Sequence, residues 1–235
     1  MNNLIIGLGS LVVGVMVGSI YNVGVHFIVV NTQRIKEKMK EGITYYSQFG
    51  QDKWVLKDIF NFKREGYFVE LGAGDGINKS NTYTLEKGFN WKGLCIEANR
   101  DLFEKLKSNR KCICINECVS NDKKKVKFSV GKGLNNGIVN IGNNFEYKET
   151  IKLEDIFNRN NVPKIIDYFS LDVEGHEFEI LKNFPFNKYT FLAINIERPN
   201  KELLNLLKTS GYIKVGSNPC DSLFINKILG ERNEK

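Results

Sequence analysis

Three acids, Glu70, Glu97 and Asp172, stand where short apolar runs give way to polar sequence, the place where a strand hands over to a loop. The densest handover is Tyr67-Phe68-Val69-Glu70-Leu71-Gly72-Ala73-Gly74-Asp75-Gly76, an apolar strand closing into a turn with three glycines. Glycine has no Cβ and tolerates positive φ, so a ligand can lie against the backbone there. Open α/β sheets receive nucleotide-like ligands in this way, at the carboxyl ends of their strands. The acids narrow the ligand. A diphosphate is drawn to bare amides and a positive helix end, and Glu70 and Asp75 would repel it. S-adenosylmethionine has no phosphate and carries a sulfonium and an ammonium. Glu70, Gly72, Ala73, Gly74, Asp75 and Gly76 are therefore read as a site for that cofactor.

A second group, Asp172, Glu174, His176 and Glu177, follows the apolar run Ile165–Val173. Methyl transfer to an alcohol needs the hydroxyl in line with the sulfonium and a group to draw off its proton. His176, with an ordinary pKa near about 6.5, suits that task near neutrality. Asp172, His176 and Glu174 are the catalytic candidates, Asp172 bordering the cofactor as well. Glu174 and Glu177 could instead hold a helix N-terminus, and Asp172 with Glu174 could help coordinate a cation; no metal is assigned. Glu97 ends a strand where the ribose would lie, and a carboxylate there can accept from both hydroxyls. Ala98 adjoins it. Ser120, after the third strand, touches adenine or belongs to an ordinary turn. Four residues are candidates for the acceptor side. Gln48 and Asp52 sit in a segment that folds over the cofactor or is a helix capped by Ser47. Glu197 and Arg198 follow the fifth strand, with Arg198 binding an acidic substrate or pairing with a surface acid.

The elements that must position these residues alternate strand and helix. Gln51–Asn61 has helical spacing, with Trp54, Val55, Ile59 and Phe62 as its apolar face. Strands are expected at Tyr67–Leu71, Trp91–Ile96, Cys112–Val119, Lys125–Val130, Ile165–Val173 and Thr190–Ile196. Helices are expected at Asn81–Lys87, closed by Gly88, at Asp101–Ser108, capped by Asn99, and at Leu153–Asn160, His176–Asn183 and Lys201–Ser210, ended by Gly211. Gly131–Asn144 is rich in Gly and Asn and reads as a long functional loop. Tyr212–Gly216 and Ser222–Asn226, joined through Pro219, read as an antiparallel pair. The pattern predicts a largely parallel sheet with a late hairpin.

Residues 4–30 contain no Asp, Glu, Lys or Arg. As a helix they would span about 40 Å, enough to cross a hydrocarbon core of about 30 Å. A cleaved leader would begin with a basic region that is missing before this run, so a retained single-pass anchor is expected over residues 1–31. Arg34, Lys36, Lys38 and Lys40 follow in a basic linker, 32–44, and would keep a domain over 45–235 on the cytoplasmic side. Ser10, Gly14 and Gly18 recur every fourth residue and could let two anchors pair into a homodimer. The formal charge of +7 is spread along the chain without a basic cluster interleaved with aromatics, so no nucleic-acid partner is expected. Five cysteines is an odd number for a disulfide framework. Cys112 and Cys114 alternate with isoleucines, and no histidine is near, so buried thiols are expected rather than zinc. Reduced thiols suit a cytosolic-type compartment.

Four islands occur in order: Tyr46-Ser47-Gln48-Phe49-Gly50-Gln51-Asp52, Val69–Gly76, Gly93-Leu94-Cys95-Ile96-Glu97-Ala98-Asn99, and Ile166 to Glu177 with its Asp-Val-Glu-Gly-His-Glu string. Together they resemble the FkbM-type methyltransferases over roughly residues 45–226. The resemblance implies a class I, Rossmann-like α/β fold. Its seven-stranded, mostly parallel sheet would end in a C-terminal antiparallel hairpin, here preceded by the transmembrane helix. It also implies S-adenosylmethionine-dependent O-methylation of a hydroxyl on a small molecule or carbohydrate, often a sugar or glycoconjugate. On the residues alone, a nicotinamide-dependent oxidoreductase and a catalytically silent cofactor-binding scaffold stay open as alternatives.

Overall fold

The computed structural model describes residues 42–129, 137–138 and 144–232. The chain divides into Met1–Ile43 and Thr44–Lys235, and the second unit holds every element below. Among the described residues no helix is long and apolar enough to cross a membrane. The apolar run 4–30, the linker as far as residue 41 and the Ser10/Gly14/Gly18 stripe lie outside the described residues.

Strands β1 (Tyr67–Leu71), β2 (Lys92–Ile96), β3 (Ile113–Ile115), β7 (Ile165–Leu171), β8 (Thr190–Glu197), β9 (Tyr212–Ser217) and β10 (Asp221–Asn226) form a seven-stranded sheet in the order β3-β2-β1-β7-β8-β10-β9. The first five are parallel, and β10 runs antiparallel to both β8 and β9. A small sheet, β4 (Cys118–Ser120), β6 (Phe145–Lys152) and β5 (Lys125–Ser129), stands apart from it. The helices are α1 (Gln51–Lys53, continued by a π-helical turn Trp54–Ile59), α2 (Tyr83–Phe89), α3 (Arg100–Asn109), α4 (Leu153–Arg159), α5 (Glu177–Leu181), α6 (Lys201–Thr209) and α7 (Lys227–Arg232).

The register of the parallel strands arranges the site. Cys95, Glu70, Ser170 and Asn195 lie in one row across β2, β1, β7 and β8. The next row is Ile96, Leu71, Leu171 and Ile196. Because successive residues of a strand point to opposite faces, the second row faces the other way. It joins a core with Leu153, Ile156 and Phe157 of α4, Ile180 and Leu181 of α5, and Leu203 and Leu207 of α6. Phe169 and Phe191 stack within that core at 4.4 Å. Each such buried side chain contributes about 1.5–3 kcal/mol, so this face carries the stability. The opposite face carries the buried polar row Glu70, Ser170 and Asn195 alongside Phe68 and Tyr168. One step past the strand ends, the third row (Glu97, Gly72, Asp172, Glu197) returns to that polar face.

Several expectations need correction. α2 runs through Gly88 and stops at Asn90, whose φ of +57° ends the helix. The expected strand Cys112–Val119 is two strands: the Asn116 side chain donates to the carbonyls of Glu97 and Ala98, and beyond it β4 leaves the sheet to pair with β6. β6 itself, Phe145–Lys152, was not expected; its charged alternation hides a strand. The π turn after α1 widens the helix, so Val55 and Leu56 are the fully buried pair rather than a face at regular helical spacing. Ser47 does not cap α1, whose N-cap is Gly50 at φ +80°. Asn99 caps α3 as expected, accepting from Leu102 N at 3.0 Å, and Gly211 follows α6 at φ +88°.

Candidate active site

A cavity opens at the carboxyl ends of β1, β2, β7 and β8, as it must where the third row emerges. On its β1–β2 side the glycine loop is locked from behind. Gly72 has φ +85°, and a Cβ there would stand 1.7 Å from the Asp172 carbonyl oxygen, so β1 and β7 can press together only without a side chain. Gly72, Ala73 and Gly74 line the cavity; Asp75 and Gly76 do not. The Asp75 carboxylate accepts from the amides of Ile77 at 2.9 Å and Asn78 at 2.8 Å. Burial pushes its pKa up, but those bonds outweigh burial and hold it below the usual range. It is thus a turn cap rather than a cavity acid. Gly76 instead backs onto Leu106 and Arg110.

Glu70 lines the cavity but is neutralised. Arg110, with its side chain 0% exposed, lies 3.3 Å from Glu70 and also pairs with Glu86 through Nε. Glu70 further accepts from Asn81 N at 2.6 Å and Thr82 Oγ1 at 2.6 Å. Glu97 is 6% exposed and accepts from Gly74 N at 2.8 Å and Asn99 N at 2.7 Å. Burial pushes it up to about 7 despite those amides. Beside it, Ala98 packs with Cys118, Val126, Phe128 and Ile138 as an apolar wall.

The β7–β8 side is electrostatically different. Asp172, Glu174 and Glu197 each bring a carboxylate oxygen within 4.8 Å of the others. Arg198, mostly exposed, lies 3.3 Å from Glu197, and the charges of Arg198 and Lys79 draw the Glu174 pKa down against burial. Burial first, and the Glu197 carboxylate second, push Asp172 up to about 8. Burial also raises Glu174. Two carboxylates brought this close share a proton or a cation; the three oxygens are spaced to hold a divalent ion, and equally to hold Asp172 protonated. Glu174 (φ +57°) and Arg198 (φ +39°) both take the left-handed conformation at the rim, the strained backbone that functional sites tend to keep. His176 lines the same cavity, and Ser120 Oγ lies 3.1 Å from its Nε2. Burial lowers its pKa, so it is neutral at pH 7.

Of the remaining candidates, Gln48, Glu197 and Arg198 line the cavity, whereas Asp52 and Ser120 are wholly buried behind it. Asp52 accepts from Tyr46 N at 2.8 Å, Ser47 Oγ at 2.5 Å and Thr84 Oγ1 at 2.5 Å, tying residues 44–47 to α2. Glu177 accepts from Val173 N and Gly175 N, holding the turn after β7. Of the loop 131–144, Gly137, Ile138 and Asn144 are described, and the first two line the cavity. The sequence reading missed Asn81, Arg110, Phe128 and Asp221. None of them left a local signal: Arg110, for one, sits among Lys105, Lys107 and Lys111.

The cavity residues fit S-adenosylmethionine: an open glycine backbone, a carboxylate at the β2 end for the ribose, and no cluster of bare cations for a phosphate. With this strand order they define a class I methyltransferase-like α/β fold. A family model described as the methyltransferase FkbM domain matches residues 70–214. The chain belongs to this family and is an S-adenosylmethionine-dependent methyltransferase. No curated protein matches it. Among solved structures, the FkbM methyltransferase from Methylobacillus flagellatus is 15% identical, with a TM-score of 0.48, over 88% of this chain and 55% of that one. A TehB-like SAM-dependent methyltransferase from Corynebacterium glutamicum is 10% identical, with a TM-score of 0.45, over 86% and 99%. A precorrin-6y C5,15-methyltransferase from Geobacter metallireducens is 9% identical, with a TM-score of 0.44, over 74% and 84%.

Proposed function

We propose that the enzyme methylates a hydroxyl of a sugar or glycoconjugate from a membrane-anchored position, with its catalytic domain on the cytoplasmic side. The observation that carries the reading is the crowded trio Asp172, Glu174 and Glu197. The cofactor, when bound, supplies an electrophilic methyl group. Asp172, at about 8, has the basicity to take a hydroxyl proton near neutral pH, since a base works best with a pKa near the working pH. Glu174 and Glu197 stand where neighbouring hydroxyls of a polyol can donate to them. His176, with Nε2 engaged by Ser120, positions the turn after β7 or orients the acceptor. Gln48 and Arg198 complete the acceptor side of the cavity.

Anchoring is supported by the uncharged run 4–30 and the basic residues after it. The test of the acceptor is transfer of a labelled methyl group from S-adenosylmethionine to a panel of free sugars, nucleotide sugars, catechols and amines. A stable methyl ether on a sugar is expected; transfer confined to nitrogen or to catechols defeats the reading. Retention of the full chain in membranes after alkaline carbonate extraction is expected, and release into the supernatant defeats the anchor.

A further inference from the structure

The cavity wall between β1 and β7 contains a polar atom with nothing to bond. Asn81 lines the cavity and is 6% exposed, and its Oδ1 is buried without a hydrogen-bond partner. Leaving such an acceptor unpaired is destabilising, so its retention calls for a donor.

The amide is bonded from beneath, over a row of buried polar side chains. Tyr168 hydroxyl donates to Asn195 Oδ1. Asn81 Nδ2 donates to Ser170 Oγ at 2.9 Å. The backbone is pinned as well, because Asn81 N donates to Glu70 at 2.6 Å. With its backbone N–H and Nδ2 both engaged, Asn81 leaves Oδ1 as a desolvated acceptor in a residue that lines the cavity.

S-adenosylmethionine brings three kinds of donor: the ribose hydroxyls, the adenine amino group and the ammonium of its methionine part. The first two belong near Glu97, at the end of β2. Asn81 hangs from Ser170 of β7, on the opposite side of β1. Glu70, the acid otherwise placed to meet the ammonium, is already matched by Arg110 at 3.3 Å. We infer that Asn81 Oδ1 accepts a hydrogen bond from the cofactor's ammonium and is the residue that recognises the amino-acid end of the cofactor. Contact requires the adjoining turn to yield slightly, and that turn is exposed at Asn78 and Lys79. The inference rests on the cofactor and not on the acceptor, so it stands apart from the sugar reading.

The test compares S-adenosylhomocysteine with its analogue carrying hydrogen in place of the α-amino group, by isothermal titration on the full chain. Wild type should bind the deaminated analogue about 10- to 100-fold more weakly, the range for a hydrogen bond to a charged group. In Asn81→Ala that difference should shrink below about threefold, while Asn81→Asp, which keeps an acceptor in place, should retain it. Equal affinities in wild type overturn the inference, and this arm needs no variant to fold. So does an undiminished difference in a folded Asn81→Ala, or its loss in Asn81→Asp with an unchanged melting temperature.

Discussion

The two walls of the cavity use the same residue type in opposite ways. On the glycine-loop side, Glu70, Asp75 and Glu97 are each matched by fixed donors: Arg110 and two side-chain or backbone donors for the first, loop amides for the others. On the other side, Asp172, Glu174 and Glu197 face mainly one another. A matched acid builds a frame, because its lone pairs are committed to fixed donors. Among the crowded acids, Asp172 holds or releases its proton near pH 8. The frame positions the cofactor, and the crowded acids are left for chemistry.

The largest effect should come from breaking the frame. Arg110→Met leaves Glu70 and Glu86 buried without their cation, and should cost about 3–5 kcal/mol of stability in denaturant unfolding. A loss below about 1 kcal/mol would show that the frame does not depend on this match. Next, Asp172→Asn should lower kcat about 100- to 10,000-fold while S-adenosylhomocysteine affinity stays within about threefold. Glu97→Gln should do the reverse, weakening cofactor affinity about tenfold, the scale of a lost hydrogen bond, with kcat nearly kept. If both variants act on the same parameter, the division between the walls fails.

The pH dependence should separate the walls more finely. Asp172, at about 8, becomes a carboxylate as pH rises, so kcat should climb through about pH 8 and level off, and Asp172→Asn should erase that limb. Glu97, at about 7, loses its charge as pH falls, so cofactor affinity should drop below pH 7. Both folded values lie above the ordinary ones of 3.8 and 4.5. The folded protein therefore binds more protons over that interval, and these two groups make stability fall as pH rises toward 8. The smallest effect belongs to Asp75→Asn. Its carboxylate caps a turn away from the cavity, so cofactor affinity should change less than about twofold and stability by at most about 1 kcal/mol. A tenfold loss of affinity would place it back in the cavity.

Much of this was legible. Glu70, Glu97 and Asp172 were found because each ends an apolar run, and the parallel sheet followed from alternating strands and helices. The split between β3 and β4 was not legible, because it depends on Asn116 reaching the Glu97 and Ala98 carbonyls, a contact without local signature. Asp75 was misplaced because spacing tells which residues share a loop, not which way each side chain turns. Asn81 looked like the start of a helix, and nothing in its neighbourhood foretold Ser170.

What the chain determines by itself is a row pattern. Glu70-Leu71-Gly72, Cys95-Ile96-Glu97, Ser170-Leu171-Asp172 and Asn195-Ile196-Glu197 each read polar, apolar, then site residue. Alternation along a strand is a property of the backbone over two residues, so it is written locally and can be read locally. Which acid receives a cation and which receives another acid was decided only in the folded molecule. Arg110 meets Glu70 across 40 residues and Glu197 meets Asp172 from the neighbouring strand. Charge states follow from burial and distance, and both quantities come into being only when remote segments pack.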